Sequence, residues 1–288
     1  MEEPGGWIHV HNPPALDRLG RIRHVLFDFD GTLSVLRQGW EEVMIPLMVE
    51  AICGLERTEP GIEEEVRAYV DRSSGILTIR QMQWLADTVR RYGMAEMARS
   101  AGEYKALYLE RLMIHVRQRI ARLARGESSP AENMLAGAAA FVHGLAQRGA
   151  RLYLASGTDH VDVVNEAAAL GLLSFFNGGV FGALDNDENH AKERVIQRIL
   201  EENEVSGEAL LVVGDGPVEI REGALLGALT LGVASNEVAR RGWNAQKIAR
   251  LREAGADLLV ADFLKAETLI ALLYGERMVS ILREEGPT

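Results

Sequence analysis

Cysteine is all but missing from this 288-residue chain: Cys53 is the one thiol, so no internal disulfide can form. Its apolar neighbours over 49–55 mark it as a packing residue rather than a nucleophile, and a reducing, cytoplasmic setting is expected. Lysine is scarce too, supplying four of the 31 cations, and the net charge is -11. A chain so short of positive charge has no basic face for a phosphate backbone, so nucleic acid is not an expected partner. Long apolar runs are also lacking. The uncharged stretch 223–235 falls short of the roughly 18 residues a membrane helix needs, and the acidic start Met1-Glu2-Glu3-Pro4 is unlike a signal peptide. A membrane partner is not expected either.

What is present is a globular composition, 47% hydrophobic, in a length that suits about two domains. Short aliphatic and β-branched runs bounded by Gly or Asp, over 23–29, 151–155, 210–213, 228–233 and 257–260, read as buried parallel strands. Helical patterns over 135–148, 159–170, 188–202 and 217–226 alternate with them. That order predicts an α/β fold, a Rossmann-like parallel sheet with helices on both faces. From about residue 36 to 130 the patterns are helical only, over 40–52, 61–71, 78–92 and 103–125. In the last, Leu109, Leu112, Met113, Val116, Ile120 and Leu123 share one face. The expected organisation is an N-terminal extension over 1–22, an α/β core over 23–35 and 132–288, and an inserted helical cap domain over 36–131. Turn-forming residues near Gly39 and over 126–130 suit hinges. In the extension, 7–11 alternates like an edge strand, and its His9 and His11 lack a third nearby metal ligand.

Ligands of open parallel sheets bind beyond the carboxyl ends of the strands, and here those ends are polar in a patterned way. The first strand runs into Asp28-Phe29-Asp30-Gly31-Thr32-Leu33, the second into Ser156-Gly157-Thr158, and the 210–213 strand into Gly214-Asp215-Gly216-Pro217-Val218-Glu219. A cluster of Asp28, Asp30, Asp215 and Glu219 would repel itself unless a cation sits among the acids. Magnesium, which takes oxygen ligands and works with carboxylates plus a substrate phosphate, suits them. Ser156 and the amides of Gly157 and Thr158, read as a helix start, would face phosphoryl oxygens. Lys192, the one lysine between Lys105 and Lys247, would bring a positive charge.

In this order the four segments resemble the four motifs of the haloacid dehalogenase superfamily. The helical insertion is similar to the cap of the subgroup containing phosphoglycolate phosphatase and β-phosphoglucomutase. The resemblance implies that Asp28 is a nucleophile forming an aspartyl-phosphate and that Asp30 is general acid, then general base. It further implies that Asp28, the Asp30 backbone carbonyl and Asp215 hold magnesium, and that Ser156 and Lys192 grip the phosphoryl oxygens. Gly31, Thr32, Gly157 and Thr158 would line the same site. Position 219 departs from the family's second aspartate, leaving open whether Glu219 meets the metal directly or through water.

The expected activity is hydrolysis of a small phosphorylated metabolite, a sugar or organic-acid phosphate. A phosphosugar mutase is the alternative, and a non-catalytic binding protein stands further off, because a scaffold has no use for two crowded acids. Basic and acidic residues balance over 36–130, and Arg37 and Arg80 in that stretch are the candidate contacts to the leaving group. The acidic run 185–189 lacks the glycine and glutamate of a calcium loop and reads as a helix entry.

Overall fold

Runs with no polar face must be covered by protein on both sides, and they form the middle of a sheet. The computed structural model describes residues 6–54, 59–93, 98–184 and 192–276. Its strands are β1 (Ile8–Val10), β2 (His24–Phe27), β3 (Arg151–Asp159), β4 (Gly179–Ala183), β5 (Leu210–Gly214), β6 (Leu229–Val233) and β7 (Leu258–Val260). They lie in the order β1-β7-β6-β5-β2-β3-β4. Every pairing is parallel except that of β1, the edge strand expected from the alternation over 7–11, which runs antiparallel to β7.

Between β2 and β3 the described chain is helical: α1 (Trp40–Cys53), α2 (Pro60–Arg72), α3 (Thr78–Tyr92) and α4 (Ala101–Ala124). These helices bury Met48, Ile52, Val66, Leu85, Leu112 and Val116 in an apolar cluster distinct from those around the sheet. The α4 face is set by Tyr104, Tyr108, Leu112 and Val116, one turn earlier than the apolar stripe suggests, with Leu109, Met113 and Ile120 partly buried at its rim. Ser100 and Glu103 start α4 reciprocally, the Ser100 amide donating to Glu103 Oε2 at 2.8 Å and the Glu103 amide to Ser100 Oγ at 3.3 Å.

The remaining helices, α5 (Ala138–Gln147), α6 (His160–Ala169), α7 (Lys192–Glu202), α8 (Pro217–Leu225), α9 (Ala245–Glu253) and α10 (Ala266–Leu273), cover the two faces of the sheet. The two-residue period of a strand is visible in β2. Val25 and Phe27 pack with Phe141 of α5 and Leu269 of α10, whereas Leu26 faces Val195 and Ile199 of α7.

The sheet departs from the sequence reading in two places. Gly179 and Gly182 dilute the strand signal of β4, an edge strand stabilised by pairing with β3 rather than by its own burial. β3 continues through Ser156-Gly157-Thr158, with its register to β4 shifting between Ala155 and Asp159. The run 185–189 and the start of the helix expected over 188–202 lie outside the described residues. Among the described residues no helix is long and apolar enough to cross a membrane.

Candidate active site

β2 has β5 on one side and β3 on the other. The chain leaves β2 toward β3 and β4 and later returns to β5, so strand order reverses beside β2, where a crevice opens at the carboxyl ends. The turn after β2 is closed by Phe29, whose carbonyl accepts from the amides of Thr32, Leu33 and Ser34 at 3.3, 2.9 and 2.9 Å. Gly31 makes this turn at φ +75°, and a Cβ there would lie 2.5 Å from Asp215 Oδ2. A larger residue would fail twice, by conformation and by collision.

Three of the four predicted acids converge. Carboxylate oxygens of Asp28, Asp215 and Glu219 lie within 4.8 Å of one another, and all three residues are buried. Lys192 Nζ bridges two of them, 2.6 Å from Asp28 Oδ1 and 2.9 Å from Glu219 Oε2. Glu219 holds its place through its other oxygen, which accepts from the Gly216 amide at 2.8 Å. The extra methylene of Glu lets one carboxylate serve both the start of α8 and the buried lysine. Burial, reinforced by Glu219 and Asp215, pushes the Asp28 carboxyl well above the usual range although Lys192 pulls it down. At Asp215 burial works the same way but Lys247 and Arg250 outweigh it, leaving that carboxyl below its ordinary value.

Asp30 turns to the opposite wall. Its Oδ2 accepts from Ser156 Oγ at 3.3 Å and from Thr158 Oγ1 at 3.0 Å, and its Oδ1 is buried without a hydrogen-bond partner. Burial raises its pKa, with Arg37 opposing. The Thr158 amide donates to Ser156 Oγ at 3.1 Å, so the helix start foreseen for these amides is a strand end, and that amide is already engaged. Gly157 is needed for a close approach, since a Cβ there would lie 2.3 Å from the Ile76 carbonyl of the helical segment.

Arg37 lines the same pocket but is committed elsewhere. Its Nη2 lies 2.6 Å from Glu166 Oε1 and 3.3 Å from Asp162 Oδ2 on α6, while Nε is 3.9 Å from Asp30 Oδ1. Glu166 is 1% exposed, and burial raises its pKa to about 7 against the pull of Arg37. Arg37 therefore serves first as counter-charge to a buried acid. Arg37→Ala, which strands that acid, is expected to cost about 3–5 kcal/mol, and adding Glu166→Gln should restore part of the loss. Thermal unfolding of both variants is the check, and a single variant as stable as wild type would contradict this role.

The pocket is lined by Asp28, Asp30, Ser156, Lys192 and Asp215 from the α/β core and by Arg37, Trp40, Ser74, Thr78, Gln81 and Tyr108 from the helical segment. The cavity measures about 80 Å³. Arg80 is exposed and lines an adjoining cavity with Gly75, Gly157, Lys192 and Glu193, not the pocket that holds Asp28. Sequence reasoning overlooked Lys247, Glu237, Arg250, Glu166, Gln81 and Tyr108.

The donor set fits a hard divalent cation. Thr32 Oγ1 has one proton yet lies 3.2 Å from Asp28 Oδ2 and 3.3 Å from Asp215 Oδ1, so one of these two oxygens lacks its donation. All three clustered side chains are carboxylates, the ligands that magnesium prefers. The Asp30 side chain is not part of that cluster.

Residues 22–227 match the family described as haloacid dehalogenase-like hydrolase. No curated protein matches the chain. Among solved structures, a phosphonoacetaldehyde hydrolase-like protein from Oleispira antarctica is similar in fold, with a TM-score of 0.61 at 15% identity over 96% of this chain and 97% of that one. A β-phosphoglucomutase from Clostridium difficile has a TM-score of 0.56 at 15% identity, covering 90% of this chain and 99% of its own. A protein described as a predicted phosphoglycolate phosphatase from Haemophilus somnus has a TM-score of 0.57 at 14% identity, covering 86% and 98%. With the family's sequence pattern spanning residues 22–227, well over half of the chain, and Asp28 and Asp215 directly following β2 and β5, the chain belongs to the haloacid dehalogenase-like hydrolases.

Proposed function

We propose that the protein is a magnesium-dependent phosphatase that hydrolyses a small phosphorylated metabolite through a phosphorylated Asp28. The observation that carries this reading is the placing of Asp28 and Asp30 on one pocket, the first against Lys192 and the second with one buried oxygen free of hydrogen bonds. An Asp28 carboxylate oxygen attacks phosphorus, and the ester bond to the leaving group breaks. Asp30, whose pKa is raised by burial, gives its proton to the departing oxygen. Asp30 then takes a proton from a water that attacks the same phosphorus, releasing inorganic phosphate and restoring Asp28. Lys192 and Ser156 neutralise and orient the phosphoryl oxygens. A divalent cation held by Asp28, Asp215 and Glu219 would supply positive charge against these crowded acids and the phosphoryl group.

Residues 36–131 act in this reading as a cap that selects the leaving group. Thr78 Oγ1 donates to the Gly157 carbonyl at 3.4 Å and Arg250 Nη1 of the core lies 3.2 Å from Asp71 of α2, so the segment rests on both flanks of the crevice. Of its pocket side chains Arg37 is neutralised by Glu166, and Trp40, Ser74, Ile76, Thr78, Gln81 and Tyr108 are apolar, aromatic or neutral hydrogen-bonding groups. That lining favours a hydroxylated, sugar-like leaving group over an organic acid.

Release of inorganic phosphate from a panel of phosphorylated metabolites, with and without magnesium, tests the reading. Hydrolysis that chelation abolishes is expected, whereas isomerised phosphosugars with no free phosphate would indicate a mutase. Glu219→Gln should raise the magnesium concentration needed for half activity by about tenfold while changing saturated turnover less. An unaltered metal titration would remove Glu219 from the metal site.

A further inference from the structure

Lys247 lies beyond the segment 22–227 that matches the family, yet it is one of two buried lysines at the acidic cluster. Its Nζ is 2.6 Å from Asp215 Oδ2 and 2.7 Å from Glu237 Oε1. The backbone at Lys247 is fixed at the first turn of α9, where Asn244 Oδ1 accepts from the amides of Gln246 and Lys247 at 3.0 and 3.1 Å. Lys192 and Asp215 line the catalytic pocket. Lys247 and Glu237 instead line a separate cavity of about 320 Å³ with Arg250 and Asn244. Lys247 thus meets the Asp215 carboxylate from outside the pocket that would receive substrate.

We propose that Lys247 is a positioning residue that holds Asp215 by one oxygen and sets the affinity of the site for its divalent cation, with Glu237 moderating the lysine's charge. The assignment rests on the metal reading above. With Oδ2 committed to Lys247, Asp215 keeps Oδ1 beside Thr32, whose hydroxyl also reaches Asp28 Oδ2. A fixed ammonium beside a metal ligand weakens the pull of that ligand on a second cation, and burial limits screening by salt. Glu237 offsets part of that ammonium charge. The two neighbours therefore act on metal affinity with opposite signs.

The opposite signs separate this role from simple structural support, because loss of either salt bridge would weaken packing while only an electrostatic role makes one variant bind metal more tightly. Calorimetric titration of Mn2+ into the substrate-free protein reads the affinity directly. Lys247→Met is expected to bind at least about tenfold more tightly than wild type, Lys247→Arg within about threefold, and Glu237→Gln about fivefold more weakly. A folded Lys247→Met variant with unchanged or weaker binding overturns the proposal. Should Lys247→Met fail to fold, Glu237→Gln decides, and unchanged or tighter binding there overturns it. Wild-type protein that takes up no Mn2+ overturns the metal reading itself, which is a different result from wild-type binding that the variants leave unmoved.

Discussion

Asp28→Asn is expected to lower phosphate release by at least about 10⁴-fold, because the amide keeps the shape of the side chain but cannot form the phosphoryl-enzyme. The loss should appear in kcat on every substrate, good or poor leaving group alike. It should not come from unfolding. Burial and the neighbouring acids raise the Asp28 carboxyl, so its ionised form destabilises the metal-free fold. A group shifted upward contributes stability at pH below its ordinary value of 3.8 and loses that contribution as pH rises through the folded value. At neutral pH the neutral amide removes that cost, and metal-free Asp28→Asn should melt at or above the wild-type temperature. A variant that retained a tenth of wild-type turnover would exclude Asp28 as nucleophile.

Asp30→Asn should separate the two half-reactions. With p-nitrophenyl phosphate the leaving nitrophenolate departs without a proton, so phosphorylation of Asp28 continues while hydrolysis of the aspartyl-phosphate loses its base. Rapid mixing should then show a burst of about one nitrophenolate per chain, followed by turnover slowed by roughly 10²- to 10⁴-fold. With a sugar phosphate, whose alkoxide needs the proton, even the burst should fade. Linear turnover at the wild-type rate would mean that another group activates the water.

The parts of this site legible in the sequence are those in which apolar strands hand over abruptly to acids or hydroxyls. Val25, Leu26 and Phe27 demand burial on both faces, so Asp28 must fall at a strand end, and the same reasoning places Asp215, while β3 runs on past Ser156. Lys192 is visible through its scarcity and its place in the order of the motifs. Lys247 was equally scarce, but its meeting with Asp215, 32 positions away, depends on how α9 packs against β6, and no local pattern encodes that. Arg37 illustrates the converse. Its position just after the first motif suggests substrate contact, while its commitment to Glu166, 129 positions on, emerges only when α6 folds beside the pocket. Strand β4 leaves little trace in the sequence because its stability comes from β3 and not from its own glycine-rich residues.

The measurement that tests the central claim most directly is the site of phosphorylation in Asp30→Asn protein quenched in acid seconds after mixing with substrate and magnesium. Intact mass followed by peptide mapping should find one phosphoryl group per chain, in the peptide that carries Asp28, and none when magnesium is chelated beforehand. Free phosphate or nitrophenolate accumulating through many turnovers with no phosphorylated protein, or a phosphoryl group on a peptide that lacks Asp28, would contradict the covalent mechanism.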